Sequence, residues 1–271
     1  MDGRPIGVFD SGLGGLTTVR AIQRLMPEED IVYFGDTGRV PYGGRSKETI
    51  VKYARQDVAF LRSFDLKAIV IACGTVSTTA LEVLAAENDL PILGVAKPAA
   101  LAAAEATSGG KIGLIGTVAS IRSGAYERFI KEARPEAQVM AKACPLFVPL
   151  VENGRFQPGD VVIETVVREY LTELKEARID TLILGCTHYP LLEEVIGAFM
   201  GPKVTLIDAG AAGAEATKRQ LTACAALAEP GRTGQSRYFV SDTAEDFTQL
   251  ASIFLRQDVS GRVEHVDISR Y

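Results

Sequence analysis

The sequence predicts an α/β protein made of two similar halves, each with a parallel β-sheet and helices packed on it. Short apolar runs alternate with segments of helical length, which is the pattern of right-handed βαβ units. The order of strands and turns that begins at Ile6 begins again at Lys111, a repeat too long for a solenoid. One apolar run in each half stops at a cysteine, Cys73 or Cys186, and open α/β sheets bind ligands at such strand ends.

Composition narrows the class of protein further. The 271 residues are 47% hydrophobic and 23% charged, as in ordinary globular proteins, and the net charge is -5. A negative net charge argues against nucleic acid or an anionic membrane as the main partner. No apolar run is long enough to span a bilayer and no leader precedes the first strand, so we expect no membrane partner. Four cysteines without Cys-x-x-Cys spacing are expected to be thiols, which indicates the cytoplasm.

The first half contains four predicted strands and three predicted helices. Pro27 helps to close the first helix, and Ser46 is the expected N-cap of the second, along which apolar side chains recur at helical spacing. A turn-rich segment, 35–44, follows the second strand. The predicted strands are 6–9, 31–34, 68–72 and 92–95, and the predicted helices are 17–26, 46–64 and 78–87.

The second half repeats this order, and the tail does not fit a third copy. Its simplest use is to complete the first domain, which is then discontinuous: 1–98 plus 210–271, carrying Cys73, with 99–209 as the second domain, carrying Cys186. The loop 147–154 stands opposite the loop 40–44. The remaining predicted strands are 111–117, 138–142, 182–184, 204–208, 237–240 and 263–268, and the remaining helices are 158–177, 214–227 and 244–255.

The two strand-end thiols suggest a chemistry. If the halves face each other across a pseudo-twofold axis, Cys73 and Cys186 approach one ligand from opposite sides. A two-base racemase needs this geometry, because one group removes the α-proton while the other returns a proton to the opposite face. Thiols suit the task since their ordinary pKa is about 8.5 and can be tuned. The alternative is that both are simply buried strand cysteines. Cys144 and Cys224 have no polar strand-end context, and Cys224 is expected in the core.

Two ionisable side chains are placed to influence these thiols. His188, two residues after Cys186, could set the charge state of that thiol or relay a proton. A zinc site formed by Cys186, His188 and another cysteine is conceivable, but the usual ligand spacing is missing and we expect no metal. Asp10 is the natural acidic neighbour of Cys73, unless it only caps the following helix. The glycines after Asp10 do not complete a dinucleotide fingerprint, and no cofactor is expected.

Loop residues in equivalent places of the two halves are the other candidates. Tyr42 and the backbone around Gly43 could bind polar groups of a substrate, and Glu152 could bind an ammonium group or assist a proton transfer. The alternative for each is an ordinary turn residue.

Five segments, in order along nearly the whole chain, together resemble the glutamate racemase family. They are 9–15, 33–37, 40–43, 148–152 and 185–190. The resemblance implies a cofactor-independent isomerase that supplies D-glutamate for peptidoglycan, with two α/β domains, an active site between them and a homodimeric assembly.

The resemblance also implies roles for single residues. Cys73 and Cys186 would exchange the α-protons of the D- and L-enantiomers respectively, assisted by Asp10, Glu152 and His188. The substrate-binding positions would be Asp10, Ser11, Pro41, Tyr42, Gly43, Gly74, Thr75, Thr187 and His188. One position departs from the family, which usually has Asn where this chain has Gly74. Losing a hydrogen bond of that kind costs about 1 kcal/mol or more.

Three rival functions stay open from the sequence. An aspartate or hydantoin racemase would share the paired thiols, although the motifs around Tyr42 and His188 favour glutamate. A non-catalytic amino-acid-binding protein would need neither cysteine. A metal-dependent hydrolase is the third.

Overall fold

The strands of the protein form two separate β-sheets. The computed structural model describes residues 1–271, except for the side chain of residue 246. The strands are β1 (Ile6–Asp10), β2 (Ile31–Gly35), β3 (Ala68–Ile71), β4 (Ile92–Gly94), β5 (Lys111–Gly116), β6 (Gln138–Ala143), β7 (Thr181–Leu184), β8 (Thr205–Asp208), β9 (Ser236–Val240) and β10 (Val263–His265). The helices are α1 (Leu16–Leu25), α2 (Lys47–Leu61), α3 (Gly74–Thr79), α4 (Leu81–Glu87), α5 (Ala96–Ala106), α6 (Val118–Arg122), α7 (Ala125–Ala133), α8 (Phe147–Glu152), α9 (Val161–Glu176), α10 (Glu193–Met200), α11 (Ala209–Ala223) and α12 (Ala244–Leu255).

The two sheets have the same strand order. The first sheet runs β10-β9-β2-β1-β3-β4 and the second runs β6-β5-β7-β8. Within each half the order is therefore second, first, third and fourth strand, and the strand pairs are parallel. The prediction of two similar parallel-sheet α/β domains is confirmed. The tail strands β9 and β10 extend the first sheet beyond β2, which supports the predicted discontinuous domain, although its boundaries stay a prediction.

The central strands are apolar because both faces of each sheet are covered. All residues of β1, β2, β3 and β7 are buried, as expected of parallel strands between two helical layers. The edge strand β6 is only half-buried or exposed along its length, and its sequence is accordingly more polar. The burial pattern thus explains why the central strands could be recognised as short apolar runs.

The strand order creates one ligand-binding crevice in each sheet. In the first sheet β1 lies between β2 and β3, and in the second β5 lies between β6 and β7. At these points the order in which successive strands are added to the sheet reverses. Ligands of open α/β sheets bind there, outside the carboxyl ends of the strands. Ser11 comes after β1 and Cys73 after β3, so both lie at the first crevice. Thr117 comes after β5 and Cys186 after β7, so both lie at the second.

The chain passes between the sheets through two helices of small residues. α5 follows β4 and α11 follows β8, and the two helices pack against each other. Asp208 caps α11, because its Oδ1 accepts hydrogen bonds from the backbone N–H groups of Gly210 (2.7 Å) and Ala211 (3.2 Å). Gly213 lies so close to Val95 that a Cβ there would be 2.6 Å from its Cγ1. Small residues therefore set the spacing where the halves join.

Several helices differ from the sequence predictions. The prediction of a loop over 147–154 is wrong for 147–152, which form α8. Pro149 is the third residue of this helix. Pro98 takes the same place in α5, which was not predicted, and the first turn tolerates proline because its N–H groups lack helical partners. The helices α6, α7 and α10 were also missed. α11 begins five residues earlier than expected, and the predicted helix 78–87 is two helices that meet at Ala80.

Two smaller observations complete the fold. Cys224 is exposed at the end of α11, so the expectation that it lies in the core is wrong. None of the helices that the structure describes is long and apolar enough to cross a membrane.

Candidate active site

A cavity of about 440 Å³ lies between the carboxyl ends of the two sheets. This size is suitable for a small-molecule ligand. Of the residues predicted for the site, all but one line the cavity: Ser11, Pro41, Tyr42, Gly43, Cys73, Gly74, Thr75, Glu152, Cys186, Thr187 and His188. The exception is Asp10, which lies behind the wall and is 1% exposed.

The first thiol belongs to a polar, acidic corner. Cys73 precedes the first residue of α3, and its Sγ is 3.3 Å from the Oγ of Ser11. Asp10 Oδ2 accepts a hydrogen bond from the N–H of Gly12 (3.1 Å), and Asp10 Oδ1 has no hydrogen-bond partner among the described residues. Burial, and then the nearby Asp10 carboxyl, raise the pKa of Cys73 to about 12. Cys73 is therefore a thiol at neutral pH.

The second thiol lies beside an imidazole and a carboxylate. Cys186 Sγ is 3.9 Å from Nδ1 of His188, whose Nε2 is 2.8 Å from Oε1 of Glu152 on α8. Burial lowers the pKa of His188, but the hydrogen bonds to Cys186 and Glu152 outweigh burial and raise it to about 10. The Phe254 ring packs against the imidazole edge-on, with centroids 5.5 Å apart. His188 is therefore an imidazolium at neutral pH, held between a sulfur and a carboxylate.

The two halves touch directly around the thiols. A Cβ at Gly74 would overlap the carbonyl oxygen of Gly185, the residue before Cys186. A Cβ at Gly43 would lie 2.8 Å from Cβ of Thr117. Glycine at these positions lets the first half come close to the second. Gly74, the position where this chain departs from the family, therefore packs directly on the loop that carries the opposite cysteine.

Hydrogen bonds join the halves at the same level. The N–H of Ala119 donates to the carbonyl of Gly43 at 2.9 Å. The hydroxyl of Thr17 donates to the carbonyl of Thr187 at 2.9 Å, so the loop after Cys186 is held by α1 of the first half. Gly43 and Thr187 both line the cavity, so these bonds hold the two halves together at its edge.

Tyr42 is anchored by a buried charge network. Its hydroxyl donates to Asp36 and lies 3.3 Å from Oδ2 of Asp57. Arg39 pairs with both carboxylates, through Nε to Asp36 (2.6 Å) and Nη2 to Asp57 (2.9 Å). The side chains of Asp36 and Asp57 are fully buried. The hydroxyl of Tyr42 is thus used to hold the loop 40–44 in place, while residues of that loop line the cavity.

Among the cavity residues that the sequence reasoning missed, two have a hydroxyl or thiol side chain. Thr117 follows β5 as Ser11 follows β1, so the repeat itself could have identified it. Its hydroxyl is 2.8 Å from that of Thr75 across the two halves. Cys144 follows β6 and also lines the cavity, and burial raises the pKa of its thiol to about 12.

The described residues form no group of three or more His, Cys, Asp or Glu side chains that could hold a metal ion. The four cysteines are free thiols.

Comparison with known proteins agrees with this geometry. The sequence model of the family described as Asp/Glu/Hydantoin racemase matches residues 14–217. A glutamate racemase of Geobacter metallireducens is 44% identical over 255 residues, which are 94% of each chain. The crystal structure of a glutamate racemase isoform from Bacillus anthracis superimposes with a TM-score of 0.93 at 38% identity, covering 98% of each chain. The glutamate racemase of Francisella tularensis, solved with D-glutamate, gives a TM-score of 0.91 at 35% identity over the full length of both chains.

Two similar parallel-sheet α/β domains with one cavity between them are shared with the racemases that this chain matches, so the protein is an amino-acid racemase. The chain belongs to the Asp/Glu/hydantoin racemase family.

Proposed function

We propose that this amino-acid racemase interconverts L- and D-glutamate by proton transfer at the α-carbon, with Cys73 and Cys186 as the two bases. The observation that carries the mechanism is the position of the two thiols on opposite halves of a single cavity. The choice of glutamate rests on relatives with that name, which match this chain over almost its whole length.

The charges around the thiols suggest how a turnover from L-glutamate begins. The imidazolium of His188 attracts a thiolate at Cys186, while the raised pKa of Cys73 keeps that side chain protonated. The Cys186 thiolate takes the α-proton from one face, and the Cys73 thiol gives its proton to the other. D-glutamate leaves, and the enzyme then has a thiol at Cys186 and a thiolate at Cys73. The reverse reaction starts from this second form.

The carbanion formed between these steps needs stabilisation by donors that are already in place. The hydroxyls of Ser11, Thr75, Thr117 and Thr187 line the cavity, and the helix α3 begins directly after Cys73. Donors held in a cavity that excludes water act more strongly than the same groups in solution. Asp10, behind the wall, is proposed to act through Cys73 and not through the substrate.

The product D-glutamate would serve peptidoglycan synthesis, and the free thiols support a location in the reducing cytoplasm. A homodimer is proposed, for which the exposed apolar side chains Leu146, Val161 and Val162 of the second half offer surface to cover. Light scattering on the purified protein tests the dimer.

The decisive experiment is incubation with L-glutamate in deuterium oxide without added cofactor. Optical rotation and α-deuterium content are followed together. We expect rotation to decay to zero while deuterium enters the α-position. Absence of both changes would overturn the racemase proposal, and the same loss of rotation with L-aspartate but not L-glutamate would change the substrate.

A further inference from the structure

Tyr42, which lines the catalytic cavity, places its hydroxyl between two buried carboxyl groups. Asp36 follows β2 and Asp57 lies on α2, and both residues are 0% exposed. Tyr42 itself is 1% exposed. Buried polar atoms are almost always hydrogen-bonded, so each oxygen of this cluster needs a hydrogen to accept or to donate.

The first carboxyl group, that of Asp36, is surrounded by donors. Its Oδ2 accepts a hydrogen bond from Nε of Arg39 at 2.6 Å and another from the hydroxyl of Tyr42. Its Oδ1 accepts a hydrogen bond from the hydroxyl of Ser241, in the tail of the chain, at 2.7 Å. Three donors, one of them a cation, suit an ionised carboxylate, which only accepts. Asp36 therefore balances the charge of Arg39.

The second carboxyl group, that of Asp57, has fewer donors around it. Its Oδ1 accepts a hydrogen bond from Nη2 of Arg39 at 2.9 Å, and its Oδ2 lies 3.3 Å from the hydroxyl oxygen of Tyr42. The single hydrogen of that hydroxyl is already donated to Asp36. If Asp57 were ionised, two oxygens without a hydrogen between them would face each other in a buried site. A proton on Oδ2 of Asp57 removes this conflict, because the carboxyl group can then donate to Tyr42.

We propose that Asp57 is a neutral carboxylic acid that positions Tyr42, and with it the loop 40–44, by donating a hydrogen bond to the tyrosine hydroxyl. Asp57 then donates to Tyr42, and Tyr42 donates to Asp36. The charges of the cluster also balance, since the carboxylate of Asp36 and the guanidinium of Arg39 are its two ions. Asp57 is a positioning residue, because it is not among the residues that line the cavity. Its role rests on the proposed racemase function.

The electrostatic surroundings of Asp57 support the proton. Burial raises the pKa of its carboxyl group well above the ordinary value, and the negative charge of Asp36 raises it further. The charge of Arg39 and the hydroxyl of Tyr42 lower this pKa, while the carboxyl group of Asp10 raises it. One guanidinium cannot compensate two buried carboxylates, so one of them takes up a proton.

The position of Tyr42 determines where the adjoining wall of the cavity lies. The next residue, Gly43, accepts a hydrogen bond through its carbonyl from the N–H of Ala119 in the second half, at 2.9 Å. A Cβ at Gly43 would be 2.8 Å from Cβ of Thr117, so the loop has little free space there. A displaced Tyr42 therefore moves a wall that both halves share. The loop is proposed to bind substrate and carries no reacting group, so its displacement should change KM more than kcat.

Infrared difference spectra of the full-length protein at neutral pH test the proton directly. A protonated carboxyl group absorbs at a higher frequency than a carboxylate. The spectrum of the wild type minus that of Asp57→Asn should therefore contain a carboxylic acid band. Absence of this band would overturn the assignment of the proton to Asp57.

Two replacements of the same residue test the positioning role. In Asp57→Asn the amide oxygen can accept from Arg39 and the amide nitrogen can donate to Tyr42, as the neutral acid does, so KM for L-glutamate should stay within about twofold of the wild-type value. Asp57→Leu fills the space but has neither group. It should raise KM by about tenfold or more and change kcat by less than about threefold.

Glu29→Gln is the matched control. Glu29 and Lys67 form another buried ion pair of the first half, with side chains 2% and 1% exposed, and neither residue lines the cavity. This variant should lower the melting temperature and leave KM unchanged.

The positioning role would be overturned by an equal rise of KM in Asp57→Asn and Asp57→Leu, by an unchanged KM in Asp57→Leu, or by a similar rise of KM in Glu29→Gln. The infrared band does not depend on turnover, so its absence is distinguishable from failure of the racemase proposal.

Discussion

The loops that carry Cys73 and Cys186 occupy the same place in two copies of one fold, yet their surroundings differ in charge. Each thiol follows the third strand of its half, next to the crevice of the sheet. Around Cys73 lie the hydroxyl of Ser11 and the buried carboxyl of Asp10. Around Cys186 lies His188, bonded in turn to Glu152. The repeat therefore determines where the thiols are, while the ionisable groups beside them differ between the two halves.

Thermodynamics limits what this difference can do. Two enantiomers have equal free energies in an achiral solution, so kcat/KM must be the same in both directions. The unequal surroundings of the thiols can change kcat and KM separately, and they can change the dependence on pH. Variants that remove or exchange one neighbour should reveal the difference in these quantities.

The largest effect is expected from replacing either thiol. Cys73→Ser and Cys186→Ser should each lower racemisation by about a thousandfold or more, because general acid–base catalysis from one side is lost. In deuterium oxide Cys73→Ser should still exchange the α-proton of L-glutamate without inversion, and Cys186→Ser that of D-glutamate. Near-normal turnover by either variant would remove that cysteine from the mechanism.

Separating the loops should have the next largest effect. In Gly74→Ala the new methyl group overlaps the carbonyl of Gly185, so either the start of α3 or the loop before Cys186 must shift. A shift of this kind should lower kcat by about a hundredfold, since reacting groups tolerate little misplacement. Gly44→Ala is the control, because Gly44 also lines the cavity but a Cβ there meets nothing within 4 Å. Equal activity of the two variants would show that the contact is not needed.

Removing the carboxylate behind His188 should act mainly through pH. Glu152 holds the pKa of His188 up, so Glu152→Gln should lower it from about 10 toward the ordinary value of 6.5. The imidazolium exists below its pKa and is lost above it, so the alkaline decline of the rate from L-glutamate should move to lower pH. We expect a loss of about tenfold at mildly alkaline pH. An unchanged pH profile of kcat would contradict the assigned role of His188.

The carboxyl beside the other thiol should have a smaller effect, which is again a lowered pKa. Asp10→Asn should bring the pKa of Cys73 below about 12, because the Asp10 carboxyl is one of the causes that raise it. The thiolate absorbance measures this in a background where the other three cysteines, Cys144, Cys186 and Cys224, are serine. A pKa that stays the same would mean that burial alone accounts for the shift.

The smallest effect is expected for the third thiol of the cavity. Cys144 follows the edge strand β6 and not the third strand of its half, so it has no counterpart of His188 or Asp10. Cys144→Ser should therefore change kcat/KM by no more than about twofold. A large loss would break the comparison between the two loops, because a thiol outside the matching positions would then contribute.

The sequence revealed those parts of the protein that depend on short-range pattern. Parallel strands such as β3 and β7 are apolar along their whole length, so both could be recognised, together with the thiols that follow them. The helices α5 and α8 were not recognised, because a proline in the first turn looks like a break. The anchor of Tyr42 depends on Asp57, which lies on α2 far along the chain, and no local pattern signals such a contact.

The matching strand order of the two sheets has a consequence for how the two faces of the α-carbon are reached. Loss of the α-proton leaves a flat carbon, and a half-turn about an axis in its plane exchanges its two faces. A chain of L-residues cannot build the mirror image of a site, but two copies of one fold that share a cavity place matching strand ends, and so matching thiols, around it. The three groups attached to that carbon are all different, so the half-turn does not map them onto one another. The groups that grip them must therefore differ between the copies, although the thiols correspond.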